Sequence, residues 1–155
     1  MKRRIFLKGS LAAGTVAVAA GAGLLAPARV LAATWPEAAF AAKTEADALR
    51  AFFGDAAVVD SDKVSLKAPL QAENGAVVPI KVMTTLTDAE AIAVVVEKNP
   101  VPYVTSLQMT VVAGGMFSAR IKMGQTSPVN CYVKAGGKLH KASQEIKVSI
   151  GGCGG

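Results

Sequence analysis

The sequence closes on Gly151-Gly152-Cys153-Gly154-Gly155, and the thiol of Cys153 is the side chain whose surroundings set it apart for chemistry. Glycine has the widest backbone freedom and no side chain, so two on each side make a segment that bends freely and is as thin as a peptide can be. Fully extended, five residues reach roughly 17 Å. Such an arm can enter a narrow channel in another protein and present a sulfur there. The same surroundings argue against a self-activated nucleophile. A lowered thiol pKa needs a helix N-terminus, a cation or a histidine, and a run of glycines supplies none. The geometry therefore suits a passive attachment point that is activated by whatever enzyme it visits. A frayed tail with an incidental cysteine, a disulfide to Cys131 and an intermolecular disulfide are the competing readings. None of them accounts for glycines on both sides of the thiol.

The other reactive types form no site. Cys131 shares strand parity with Val129 and Val133 and reads as a small buried hydrophobe. A bridge to a partner is its alternative, and a bridge to Cys153 would require backbone rearrangement. His140 is the single histidine and reads as an exposed strand residue, so neither a nucleophilic triad nor a histidine-rich metal site can be built around it. Asp55, Asp60 and Asp62 lack the spacing of a calcium loop and read as a solvated turn. Lys138, Lys141 and Lys147 are expected near the arm, where they would weakly favour anionic partners or adducts. No cofactor motif is visible: there is no Cys-x-x-Cys pair, no Cys-x-x-Cys-His and no Gly-rich phosphate loop.

The formal net charge of +6 suggests an anionic partner until its location is considered. Residues 1–32 contain Lys2, Arg3, Arg4, Lys8 and Arg29 with no acidic residue, which leaves 12 basic against 11 acidic residues, a net of +1, in the remainder. That balance excludes a basic nucleic-acid-binding domain. Arg3-Arg4-Ile5-Phe6-Leu7-Lys8 resembles the twin-arginine export signal, with Lys2 where Ser or Thr usually stands. An Ala/Gly-rich stretch from Gly9 to Ala26 follows, and Val30-Leu31-Ala32 fits cleavage near Ala32. The glycines and the scarcity of Leu, Ile and Phe weaken the reading of this stretch as a retained membrane anchor. The expected organisation is a signal peptide over 1–32, a single domain over 33–150 and a carrier arm over 151–155. The expected location is the periplasm. Since the twin-arginine route carries folded proteins and no cofactor motif explains its use, a second subunit assembled before export is expected.

The elements that must position the arm are mainly β. Residues 35–53 read as helical: Pro36 suits a first turn, Thr44-Glu45-Ala46-Asp47 resembles a capping box restarting the helix, and Gly54 is a stop. Ala39, Phe40, Leu49, Phe52 and Phe53 supply an apolar stripe. Beyond Gly54, short β-branched runs predict strands over 57–60, 63–67, 77–84, 91–97, 103–112, 116–123, 129–134 and 139–150, the last with room for a bend. Turns are expected at Asn74-Gly75, Ala113-Gly114-Gly115 and Gly136-Gly137. Phe117, Ala119, Ile121 and Met123 alternate with Ser118, Arg120 and Lys122, which marks a half-buried strand. The expectation is an immunoglobulin-like antiparallel β-sandwich with an N-terminal helix. Its last strand would end at Ile150, where the glycines begin.

The stretch Val133-Lys134-Ala135-Gly136-Gly137-Lys138-Leu139, the ending Lys147-Val148-Ser149-Ile150-Gly151-Gly152-Cys153-Gly154-Gly155 and the twin-arginine leader together resemble the SoxY family, carrier subunits of the periplasmic thiosulfate-oxidising Sox system. Lys43-Thr44-Glu45-Ala46-Asp47-Ala48-Leu49 and the strand-rich body fit that resemblance as well. It implies a carrier, not an enzyme, with Cys153 as the covalent attachment atom and no cofactor of its own. It implies a heterodimer with a SoxZ-like subunit. A c-type cytochrome would load thiosulfate, a dimanganese hydrolase would release sulfate, and a sulfane dehydrogenase would treat the remaining sulfur. Two other classes stay open. A ubiquitin-like sulfur carrier would use the carboxylate of Gly155, and an exported assembly module would use Cys153 only as a crosslink.

Overall fold

The computed structural model describes residues 35–110 and 115–149. The expected export leader over 1–32, residues 111–112 of the strand expected over 103–112, the Ala113-Gly114 half of one expected turn, Ile150 and the expected arm over 151–155 lie outside the described residues. The helical stretch is two helices, α1 (Glu37–Ala41) and α2 (Glu45–Phe53), separated where Ala42 turns extended. The restart at Thr44 has the expected cause: its Oγ1 accepts a hydrogen bond from the Asp47 backbone N–H at 3.1 Å. Gly54 ends α2 at φ +76°, a conformation that disfavours other residues, and its N–H donates to the Arg50 carbonyl at 2.9 Å.

Nine strands follow among the described residues: β1 (Ala57–Asp60), β2 (Val64–Lys67), β3 (Gln71–Ala72), β4 (Val78–Thr84), β5 (Ala89–Val96), β6 (Tyr103–Gln108), β7 (Met116–Ile121), β8 (Ser127–Ala135) and β9 (Lys138–Val148). The larger sheet runs β1-β9-β8-β5-β6, with β3 also pairing β9, and the smaller runs β2-β4-β7. Two features correct the sequence expectation. First, the sandwich is not purely antiparallel, because β1 and β3 both pair β9 in parallel. The chain leaves β9's edge after β1, crosses to the smaller sheet as β2 and returns as β3 to the same edge. Second, β9 continues through eleven residues without a break and ends at Val148 rather than Ile150. The two-residue β3 is too short to show periodicity, so it left no trace in the sequence pattern.

The described residues form three layers. Ile92, Val94, Val129, Cys131, Val133 and Ile146 of the larger sheet face Val78, Ile80, Val82 and Ile121 of the smaller one and form the main core. On the other face of the larger sheet, Ala93, Val95, Tyr103, Tyr132 and Leu139 are covered by Ala39, Ala48, Leu49 and Phe53 from the helices. Burying a side chain such as Leu49 or Phe53 contributes about 1.5–3 kcal/mol. This double cover explains why β5 and β8 are buried at consecutive residues rather than at alternating ones. The smaller sheet has one covered face and alternates cleanly, as in β7. The β8–β9 turn places Gly136 and Gly137 at φ +55° and +73°, both left-handed, as a tight two-residue hairpin requires.

Candidate functional site

Cys153 and its four glycines lie outside the described residues, so the structure bears on them through the strand from which they emerge. The end of β9 is held on both edges. On one, Lys147 N–H donates to the Leu70 carbonyl at 3.0 Å and Ser149 N–H to the Ala72 carbonyl at 3.1 Å. Gln71 Nε2 adds a 2.9 Å bond to Ser149 Oγ. On the other edge, Val148 N–H donates to Thr126 Oγ1 at 3.0 Å. Ladder and side-chain bonds thus continue one residue beyond the formal strand, to Ser149, four residues before the cysteine.

The loops at this end form a collar. Met123 N–H donates to the Gly75 carbonyl at 2.7 Å. A Cβ on Gly75 would overlap the Met123 carbonyl oxygen and lie 2.9 Å from Val148 Cγ1, so only glycine fits this close approach. Asn99 ties the β5–β6 loop to the β7–β8 loop: its Nδ2 donates to the Lys122 carbonyl at 2.8 Å, and its Oδ1 accepts from Gly124 N–H at 3.0 Å. Val148 itself is half-buried beneath this collar, whereas Ser149 is exposed. Among the described residues, inward packing of β9 extends as far as Val148.

The remaining candidates separate cleanly. Cys131 is fully buried in the main core, opposite Val94 and Ala142. Burial pushes its thiol up to about 11, with the Ala142 backbone opposing the rise only in part, so it is inert as a nucleophile near neutrality. His140 is not an exposed strand residue as expected; it is half-buried on β9 between β1 and β8, with Nδ1 buried and lacking a hydrogen-bond partner. Asp55, Asp60 and Asp62 are exposed, with Asp55 paired to Arg50 at 3.1 Å. No group of three or more metal-ligating side chains occurs among the described residues. No helix among them is long and apolar enough to cross a membrane. Lys147 stands beside the arm's root, but Lys138 and Lys141 correct the sequence expectation. They begin β9 and pair with β1, so Lys138 is ten residues, about 33 Å along an extended strand, from Val148.

One polar cluster was not foreseen. Asn130 Nδ2 donates to Glu45 Oε1 at 2.8 Å and Glu97 Oε1 at 2.7 Å, and the Tyr132 hydroxyl donates to the same Glu45 oxygen at 2.5 Å. Burial, reinforced by the two nearby carboxylates, pushes the Tyr132 phenol far above its usual range. Glu45 is the first residue of α2, so the cluster fixes that helix to β8. The parity of Asn130 and Tyr132, opposite to that of Val129, Cys131 and Val133, is its only sequence trace. Glu45 lies 85 residues from Asn130 in sequence.

Comparison with known proteins bears on the sheets and the segment that follows them. Residues 49–153 match the family model described as "Sulfur oxidation protein SoxY". The structure of the sulfur carrier protein SoxY from Chlorobium limicola f thiosulfatophilum is 37% identical, covers 68% of this chain and 96% of that one, and superposes with a TM-score of 0.62. An endo-beta-1,4-mannanase from Thermotoga petrophila, 15% identical over 67% of this chain and 23% of its own, gives a TM-score of 0.42, too slight a likeness to bear on function. Comparison with curated protein sequences gives no match. The family match takes in the end of α2 from Leu49, both sheets and the run through Cys153, and the chain belongs to the SoxY family of sulfur oxidation proteins.

Proposed function

We propose that this protein is a carrier of sulfur intermediates, holding them covalently on Cys153 and presenting them to partner enzymes. The observation that carries the reading is the abrupt change at the end of β9. The backbone is hydrogen-bonded through Ser149, and the Gly-Gly-Cys-Gly-Gly run follows after a single residue. A fixed root with a thin thiol-bearing extension is the arrangement a delivery arm requires. Kinship with the sulfur carrier of Chlorobium limicola supports the same reading.

The chemistry proposed at Cys153 balances as follows. Oxidative conjugation joins the thiol to thiosulfate, forming one S–S bond and releasing one proton and two electrons, which a c-type cytochrome accepts. Hydrolysis of the terminal sulfone by a dimanganese enzyme consumes one water, breaks the S–S bond to the sulfone and leaves a persulfide on Cys153 with sulfate as product. A sulfane dehydrogenase acts on that persulfide. The chain's own contribution is the attachment sulfur, the reach of the glycines and the anchored root. It supplies no cation or base to the thiol within the arm, so the visited enzymes provide activation. The twin-arginine-like leader with Arg3 and Arg4 supports export to the periplasm, in a heterodimer with a SoxZ-like subunit.

Reconstituted thiosulfate oxidation tests the reading. Cys153→Ser is expected to abolish turnover while leaving the fold and the partner complex intact. Undiminished turnover with the serine variant would reduce Cys153 to a crosslink and remove the carrier role.

A further inference from the structure

The outer face of the smaller sheet carries a charge pattern that neither folding nor the arm explains. The inward residues Val64, Leu66, Val78, Ile80, Val82, Ala119 and Ile121 leave Ser65, Lys67, Pro79, Lys81, Met83, Met116, Ser118 and Arg120 on the opposite face. Strand register places Lys67 directly across from Lys81, Lys81 across from Ser118, and Arg120 across from Pro79. Three cations therefore share one small surface with no acidic residue on it. They surround an open depression of about 760 Å³ floored by Pro69, Pro79 and Ser118. The ion pairs among the described residues are Arg50–Asp55 and Lys134–Glu90, so none of these three cations is neutralised.

Like charges directly opposite on neighbouring strands oppose sheet formation. General basicity does not account for them, because the sequence after residue 32 is nearly neutral, with 12 basic against 11 acidic residues. Position supplies the remaining clue. Lys67 ends β2 four residues before Gln71, and Gln71 bonds to Ser149 at the arm's root. Pro79 and Arg120 lie one residue from the pair Val78–Ile121, close above the Gly75 contact with Val148. An enzyme that receives the arm must sit over the end of β9, and the sheet face bordering that end is this cationic one.

We infer that the face formed by Lys67, Lys81 and Arg120 docks an acidic protein surface on the enzymes that receive the arm. The inference rests on the carrier reading and adds to it the electrostatic sign of the partner. A broad, open depression on a sheet face fits a macromolecular contact, whereas a small anion needs an enclosing cradle of converging donors. Complementary charge accelerates encounter by about 10- to 1,000-fold at low ionic strength and loses that effect as salt rises.

The test uses the isotope-labelled chain from residue 33 onward, titrated separately with poly-L-glutamate and with sodium thiosulfate at low ionic strength. Poly-L-glutamate is expected to move the amide resonances of Lys67, Lys81, Ser118 and Arg120, and the effect should vanish near 1 M salt, where the Debye length is about 3 Å. Lys67→Glu/Lys81→Glu should abolish these shifts, Lys67→Gln/Lys81→Gln should weaken them, and Lys67→Arg/Lys81→Arg should retain them. With the carrier as varied substrate in reconstituted turnover, the Glu variant should lower kcat/KM roughly tenfold at low salt and leave kcat unchanged. Shifts located elsewhere, no shifts, thiosulfate binding the same residues as tightly as the peptide, or an unchanged kcat/KM would each overturn the inference. Failure of the carrier reading looks different: turnover would survive Cys153→Ser whatever the peptide does.

Discussion

At the residue scale the two cysteines illustrate how environment decides what a thiol does. Cys131 sits among valines with no exposure, and its thiol is held up to about 11 by burial. Iodoacetamide is accordingly expected to modify one thiol on the folded, reduced chain and two after denaturation, as counted by mass. Two rapidly modified thiols in the folded protein would contradict this placement. The pH dependence has a definite sign. With the folded value raised from 9 to about 11, the native state keeps the proton longer than the unfolded chain. Stability from Cys131 is thus complete below pH 9 and falls as pH rises through about 11, on the order of 2–3 kcal/mol in all. Tyr103, raised to about 12 chiefly by burial, adds a decline from pH 10 upward. Urea melts across this range should show a shallower alkaline loss for Cys131→Ala than for the unaltered chain. Gly75 illustrates the opposite kind of constraint, steric rather than electrostatic. Gly75→Ala must push back either the Met123 carbonyl or Val148, and is expected to cost about 1–3 kcal/mol. Faster amide exchange at Val148 and Ser149 than in the parent would locate that damage at the arm's root.

At the scale of elements, what the sequence revealed depended on how far apart the interacting parts lie in the chain. The capping box at Thr44, the glycine stop at residue 54 and the alternation of β7 are local, and the structure follows them closely. The parallel pairing of β3 with β9 joins residues 71–72 to 147–148 and has no local signal, yet it secures the end of β9. The same holds for the cluster that joins Glu45 to Asn130 and Tyr132. Two variants there should separate by magnitude. Tyr132→Phe removes one donor and leaves Glu45 bonded to Asn130, costing about 0.5–1.5 kcal/mol. Glu45→Ala strands a buried hydroxyl and removes an acidic side chain from the first turn of α2, costing about 1–3 kcal/mol by denaturant melts. The cationic sheet face predicts a change of the other sign. Lys67→Glu converts a like pair with Lys81 into an opposite pair and is expected to raise stability by about 0.2–1 kcal/mol, seen as a higher urea midpoint. A residue whose replacement stabilises the fold while weakening docking is retained for contact rather than folding.

At the scale of the whole molecule, the division of labour is spatial. The two sheets bury the inert cysteine between them, the helices and the larger sheet bury the polar cluster, and hydrogen bonds at one end secure β9 through Ser149, while the chemistry proposed above belongs to the sequence beyond it. The proposed attachment site stands out in the sequence because its composition is so unlike the body's, and the family match extends through residue 153. The anchorage was not legible, since it is made of single hydrogen bonds from loops of ordinary composition. The distinction fixes where the central claim is most directly tested. Cleavage after Lys147 yields the peptide 148–155, which contains Cys153 and no other cysteine. Mass analysis of that peptide, from protein isolated without reductant from the periplasm of thiosulfate-grown cells, should show added mass on Cys153 matching sulfur adducts. Reductant should remove it, and Cys153→Ser should lack it. An unmodified Cys153 under active thiosulfate oxidation, or added sulfur at the Gly155 carboxylate instead, would contradict the account.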